Sequence, residues 1–408
     1  MFRAICVATL ASVVACSSDK NQTPPPAPDP TACPGTTLST GATATAPTTP
    51  ALTVQSGFRL QAIARVSGAR ELAALPNGDL VVGTGGTGVF IVPHADLDDG
   101  FYAPIRFATI EDAPAAGVAF DPGTCRVYVG TNHGVYAIAY EDGATTGTPV
   151  GPIALLRQSN DNGHDTTSVA VSGDKLYASV GSSCDACTES DPTRATVQVM
   201  NLDGSNMTTH ARRFRNPIAL TVNPNTGAVW AGGAGQDGLP LGHPFEIFDP
   251  ISLYPAGSDY GWPDCEEDQH VYRNGANCSN VIVPRVAMPA YSTLIGAAFY
   301  PLSPTGPYAF PVQYRGSVFV GMHGSWHQEN GDYYSPPSIA FVPMTGDSPV
   351  TQPNWGDPHA QWSELVGNFQ HSDGVSRIAR PTGIAVGSRG SLFFADDANG
   401  LIFRIRPE

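Results

Sequence analysis

The sequence predicts an all-β fold, a six-bladed β-propeller, and three observations predict it. Gly 44 and Pro 37 among 408 residues make about a fifth of the chain, a density that breaks helices and supplies turns. A phrase recurs: an alternating apolar run, a Pro/Asn/Asp/Gly turn, then a second run rich in Val, Tyr, Phe or Trp. Period-2 alternation on both sides of a turn such as Asn77-Gly78 reads as a hairpin. The phrase returns six times, at roughly 40 to 60 residues, the spacing of four-stranded blades. A β-sandwich explains the strands but not the repetition.

In order, the phrases are ELAALPNGDLVVGTGGTGVFIV from Glu71 and GVAFDPGTCRVYVGTNHGVYAIAY from Gly117. SVAVSGDKLYASVG follows from Ser168 with ATVQVMNLDG behind it, then IALTVNPNTGAVWAGGAG from Ile218. IGAAFYP from Ile295 is completed by YRGSVFVGMHGSW and SIAFV, and TGIAVGSRGSLFFADDANGLIFRIRP closes the chain from Thr382. Six phrases predict six blades over residues 51–408. Hydrophobic residues at 41% are enough to fill the core such a ring needs. No Rossmann fingerprint, phosphate loop or Gly-x-Ser-x-Gly elbow stands in a strand–helix context. Function is expected at the central channel, where loops of several blades converge, and the architecture alone does not name it.

The segment before the repeats reads as export and tethering. Residues 1–15 carry Arg3 and then an apolar run too short to span a bilayer, the pattern of a signal peptide. Val13-Val14-Ala15-Cys16 resembles a bacterial lipoprotein box, so Cys16 is expected to be acylated and the membrane reached through that anchor alone. Ser17 after the cysteine points, by sorting resemblance, to the outer membrane. Residues 16–50 are Ser, Thr, Pro, Ala and Gly with few large apolar side chains, and predict a tether. An extracytoplasmic, oxidising location agrees with the remaining six cysteines. Proximity pairs Cys184 with Cys187 and Cys265 with Cys278, leaving Cys33 for Cys125 among fifteen possible connectivities. Zinc at Cys184-x-x-Cys187 lacks a second ligand pair at suitable spacing. A net charge of −15 leaves no basic footprint for nucleic acid.

Chemistry-bearing segments lie between the strand phrases. Asn162-Gly163-His164-Asp165 leads into the third phrase, Arg213-Phe214-Arg215-Asn216-Pro217 into the fourth, and Asp259-Tyr260-Gly261-Trp262-Pro263-Asp264-Cys265 follows it. Phe299-Tyr300-Pro301, Tyr314-Arg315-Gly316, His323-Gly324-Ser325-Trp326 and Arg380-Pro381-Thr382-Gly383 with Asp396-Asp397 complete the set. Together, in this order, they resemble the soluble PQQ-dependent sugar dehydrogenases, and within them the glucose/sorbosone dehydrogenase branch.

The resemblance implies PQQ over the channel mouth, Ca²⁺ polarising its carbonyls, a sugar or related alcohol as substrate and an external electron acceptor. It implies His164 as general base, and imidazole is the side chain whose ordinary pKa suits proton abstraction near neutrality. It implies Arg215 as the cation that stabilises charge gathering on the reduced quinone. Asn216 and Arg380 are implied cofactor contacts, Arg380 through a carboxylate. His323 adds positive charge there only if protonated. Backbone carbonyls of Gly238, Leu239 and Pro240, with Glu246 behind them, are the implied Ca²⁺ ligands, since calcium takes oxygen.

Departures from the family pattern open two other readings. Thr167 stands where an arginine is expected three residues after the base histidine, His327-Gln328 where an arginine follows the tryptophan, and Ala116 where a polar residue precedes Gly117. Each lost charged hydrogen bond to a tricarboxylate costs about 1.5–3 kcal/mol. The alternative is a redox-inactive propeller that binds a glycan or protein at the cell surface. A Ca²⁺-dependent lactonase-like hydrolase wants acidic and amide side chains converging on a channel metal, a set the loops do not show.

Overall fold

A computed structural model of the protein describes residues 37–157, 163–239, 243–325 and 335–408, together with the backbone of 328–329 and 332–333. Among the described residues there is no α-helix, only the short 3₁₀ turns Ile251–Leu253 and Val312–Tyr314. Six antiparallel sheets of four principal strands form the blades of a propeller. Their innermost strands are Ala69–Ala74, Gly117–Asp121, Val169–Ser172, Asn216–Val222, Leu294–Phe299 and Pro381–Val386, and blades 1 to 6 are named in that order.

Blade 6 closes the ring. Its outermost strand is the early segment Phe58–Arg65, which pairs with Leu401–Pro407 from Phe58↔Pro407 to Arg65↔Leu401. An early strand of the repeat region thus completes the last sheet and joins the chain's two ends. Between blades the faces are apolar. Trp230 of blade 4 is fully buried, stacks on Phe248 at 5.1 Å and tilts against Phe299 of blade 5 at 5.4 Å. Its indole N–H donates to Asp347 Oδ1 at 3.0 Å, so the ring's one polar atom is satisfied in the core.

Residues 37–50, which composition assigned to the tether, are partly fixed to the propeller. Ser39 is fully buried and its N–H donates to Asp79 Oδ2 at 3.1 Å; Ala44 N donates to Phe101 O at 2.8 Å. Backbone hydrogen bonding, not apolar burial, holds this stretch, which explains why composition gave no sign of it. Asn77 and Asp79 lie at the far end of the blade 1 inner strand from Arg70, so the segment docks on the face opposite Arg70. Cys16, Cys33 and the signal segment lie outside the described residues.

The Cys184–Cys187 and Cys265–Cys278 disulfides are both present. Cys125 is disulfide-bonded, and its expected partner Cys33 lies outside the described residues. With both sulfurs of Cys184 and Cys187 in one bond, neither thiolate is free for a metal.

Candidate active site at the channel mouth

The inner strands surround an axial channel. Its mouth is built from two kinds of loop: those entering an inner strand, and those leaving the second strand of a blade. A cavity of about 240 Å³ there is lined by residues of several blades, among them Arg70, His164, Arg215, Asn216, Glu246 and His323. Where the inner strands of blades 1, 4, 5 and 6 begin, the pairing register shifts by a bulge. A bulge breaks strict alternation and re-aims side chains, here at the rim of the ring.

His164 sits in the loop entering blade 3, and two arginines grip that loop. Arg157 is buried and donates to the carbonyls of Asp165 and Thr166; Arg194 Nη1 donates to His164 O at 3.3 Å. The ring nitrogen Nδ1 lies 3.2 Å from Ser182 O and 3.1 Å from Ser182 Oγ, whose own hydrogen goes to Cys184 O at 2.6 Å. Both Ser182 oxygens can therefore only accept, so Nδ1 carries the proton and Nε2 the lone pair. Burial, with the nearby cations of Arg215, Arg157 and Arg194, lowers the imidazole pKa to about 4. At neutral pH the ring is the free base. Gly181 makes the packing possible: a Cβ there would stand 2.4 Å from His164 Cβ and 2.6 Å from Asn216 Oδ1.

Arg215 enters from the loop before blade 4 and is 5% exposed. Its Nη2 donates to Asp185 Oδ1 at 2.9 Å and Asp237 Oδ2 at 3.0 Å; Nε donates to Asp185 O at 3.1 Å. The adjoining Asn216 is buried, and its Oδ1 has no hydrogen-bond partner among the described residues. His164 and Arg215, from different blades, thus share one cavity wall.

A second part of the cavity lining is an ion-pair network that reaches the His164 loop through Arg70. Arg70 Nη1 donates to Asp397 Oδ2 at 2.8 Å, and His323 Nε2 lies 3.1 Å from the same oxygen. Burial lowers the His323 pKa to about 4 despite that carboxylate, so the ring is neutral at neutral pH and the protonation on which its expected charge depends is not met. Arg380 lies behind this network, and is not among the residues lining the cavity. Its Nε and Nη2 donate to the carbonyls of His323 and Gly324 at 3.3 and 3.2 Å, and its backbone N–H donates to Asp396 Oδ1 at 2.9 Å.

Of the expected calcium ligands, Glu246 lines the cavity, accepts from Gly235 N at 2.9 Å and has its pKa raised to about 8 by burial. Gly238 is exposed and Leu239 half-buried, neither among the cavity residues, and Pro240 lies outside the described residues. The acidic groups gathered here are instead Asp237, Glu246 and Glu266. Glu266 accepts from Gln236 Nε2 at 2.7 Å and is likewise raised to about 8 by burial. Of the departures, Thr167 and Ala116 are fully buried and neither lines the cavity, while His327 lies outside the described residues and the Gln328 side chain is not described.

Sequence reading missed Arg70, Asp185, Asp237, Glu266 and the loop-gripping Arg157. All but Arg157, which grips carbonyls eight and nine residues on, act through a partner far away in the chain, and nothing in their local spacing marks them. Asp397 alone carried a signal, as part of the closing Asp-Asp pair.

Residues 254–408 match the TrAA12-like family model. That stretch runs from the end of blade 4 through blades 5 and 6. The chain is 25% identical over 263 residues to an uncharacterized protein of Borreliella burgdorferi, covering 62% of this chain and 64% of that one. It therefore spans less than two thirds of that relative. Among solved structures it is similar to the calcium structure of a family AA12 carbohydrate-active enzyme from Trichoderma reesei, at TM-score 0.72 and 18% identity. That likeness covers 88% of this chain and 98% of the other. The holo PQQ domain of pyranose dehydrogenase from Coprinopsis cinerea follows at 0.70 and 17%, covering 88% and 97%. PQQ-bound aldose sugar dehydrogenase from Streptomyces coelicolor is similar at 0.58 and 16%, covering 87% and 100%. These likenesses show the six-bladed fold. Two of these neighbours, the pyranose dehydrogenase PQQ domain and the PQQ-bound aldose sugar dehydrogenase, are of the kind that the motifs resemble.

Proposed function

We propose that this protein oxidises a sugar or related alcohol at a PQQ–Ca²⁺ centre in the mouth cavity and passes the electrons to an external acceptor. The observation that carries the reading is the meeting of His164 and Arg215 on one wall of a cavity at the propeller axis. The donor set suits a flat polyanion with a bound cation. Arg70, Arg215 and the Asn216 amide offer donors to carboxylates and carbonyls, while Asp237 and Glu246 offer oxygens to Ca²⁺. The partnerless Asn216 Oδ1 is a buried acceptor that a ligand donor or cation would satisfy. Arg70, beside Thr166 at 3.5 Å, supplies a cation close to where Thr167 lacks one.

When bound, PQQ supplies the acceptor for the hydride leaving the carbinol carbon. His164 Nε2 takes the hydroxyl proton, with Nδ1 held by Ser182 so that the lone pair stays on the reacting side. Arg215 places a fixed, already desolvated cation beside the developing charge. Asp237, Glu246 and Glu266, gathered beside Arg215, offer carboxyl oxygens to a divalent cation on that side.

The location follows the same reading. Cys16 would be acylated in the outer membrane, and the segment from Thr37 docks on the face opposite the cavity, which leaves the mouth clear of it. Among the described residues no helix is long and apolar enough to cross a membrane.

The test is to mix purified protein with PQQ and Ca²⁺, dialyse, and follow quinone absorbance as a panel of aldoses is added. Retention followed by bleaching is expected. A second reading, a redox-inactive glycan binder, is favoured by one observation: Arg215 is already shared by two carboxylates. Failure to retain quinone while a glycan array gives binding would establish that reading instead.

A further inference from the structure

We propose that Asp185, carried in the four-residue ring closed by the Cys184–Cys187 disulfide, is the positioning residue that fixes the Arg215 guanidinium at the cavity wall. As a statement about catalysis it rests on the dehydrogenase reading above. As a statement about Arg215 it rests on contacts alone.

Asp185 collects four donors from three segments. Its carbonyl accepts from Arg215 Nε at 3.1 Å and Trp262 Nε1 at 2.9 Å; its Oδ1 accepts from Arg215 Nη2 at 2.9 Å and Asp237 N at 2.7 Å. The next carbonyl of the ring, Ala186 O, accepts from Arg273 Nη2 at 2.8 Å. Asp185 is itself 46% exposed on its side chain. An exposed carboxylate paired with arginine contributes little when free to move. What makes this one effective is its mount. The disulfide closes a ring of four residues, so the Asp185 carbonyl and carboxylate approach Arg215 as one rigid fork.

A guanidinium has five N–H donors. The Nε hydrogen, both Nη2 hydrogens and one on Nη1, which reaches Ala234 O at 3.4 Å, are taken by protein oxygens. Among the described residues nothing takes the other Nη1 hydrogen, which is left for a ligand. Asp185 and its disulfide therefore decide where the single available donor of Arg215 points, although neither residue of the disulfide lines the cavity.

The test compares Asp185→Ala, Asp185→Asn and the Cys184→Ser/Cys187→Ser pair, each loaded with PQQ and Ca²⁺, by kcat, KM and quinone affinity. A misaimed donor is expected to lower kcat about 10- to 100-fold in Asp185→Ala, with KM and quinone affinity nearly unchanged. Asp185→Asn keeps the Oδ1 acceptor and should recover most of kcat. Asp185→Ala combined with the cysteine pair should lose no more than the worse of the two, because both act through one element. A second readout needs no cofactor: the crystal structure of ligand-free Asp185→Ala should show Arg215 moved away from Asp237 and Ala234. An unmoved Arg215, an unchanged kcat, or losses that multiply would overturn the proposal. If the wild type neither retains PQQ nor oxidises an aldose, the dehydrogenase reading falls. The position of Arg215 in the ligand-free variant still decides this inference.

Discussion

The axial channel holds two chambers of nearly equal size, about 270 Å³ along the inner strands and about 240 Å³ at the mouth. They are chemically unlike. The strand chamber is walled mostly by Ala, Val, Leu and Ile side chains and backbone, with Glu71 as its single charged residue among those lining it. The mouth brings together Arg70, Arg215, His164, His323, Asp237 and Glu246. Volume therefore does not locate chemistry in this molecule. Regular inner strands repeat the same small apolar pattern six times, whereas loops and bulges free each blade to contribute something different.

Substitutions at the two chambers should separate them sharply. His164→Ala should cost about 10²- to 10⁴-fold in kcat while quinone absorbance is still retained after dialysis, since the lost group moves a proton and does not hold the cofactor. Unchanged turnover would remove His164 from the mechanism. Gly181→Ala comes next. The added Cβ would collide with His164 Cβ, and a displacement on the order of 1 Å is worth up to about 100-fold in rate. Steady-state kinetics with an intact melting curve checks it.

The acid limb of kcat/KM sharpens the comparison further. His164 must be unprotonated to accept a proton, and its pKa is lowered to about 4. Activity is therefore expected to persist through pH 6 and to fall only as pH drops towards 4. A limb at the ordinary histidine value would show that the neighbouring cations and burial do not act as described.

Stability should show the carboxyl side of the mouth. Glu246 and Glu266 have pKa values raised from 4.5 to about 8 by burial, so they bind protons in the folded state that the unfolded chain has released. Their contribution is complete below pH 4.5 and is lost as pH rises through 8. Without Ca²⁺, Tm should decline over that window. Adding Ca²⁺ should reverse the decline, and Glu246→Gln should flatten it. His164 and His323 act in the other direction, their contribution being present above pH 6.5 and lost as pH falls through 4.

Glu71→Gln in the strand chamber should give the smallest effect. Burial raises its pKa to about 8, so the carboxyl is largely protonated at neutral pH and glutamine is close to isosteric. Turnover and Tm at pH 7 are expected to stay near wild type. A large loss of turnover would mean that the strand chamber takes part in the chemistry.

The repeat, its hairpins and the positions of the inner strands were legible because alternation and turn residues are local properties, written where they act. The Gly117, Ser168, Ile295 and Thr382 phrases each begin within one residue of the start of an inner strand for that reason. His164 and Arg215 were legible as residue types in motif positions. What surrounds them was not. Asp185, Asp237 and Arg70 reach their partners across gaps of 30, 22 and 327 residues. A contact of that kind leaves no spacing in the chain.

The sequence alone determined the class of fold, the two short-range disulfides and the kind of chemistry to look for, because each depends on neighbours in the chain. Only the tertiary structure decided that Arg215 is shared between two carboxylates, that His323 is neutral, and that residues 37–50 partly dock on the propeller. Charge state and burial are set by what the closed ring brings within a few ångströms, and that is a property of the fold as a whole.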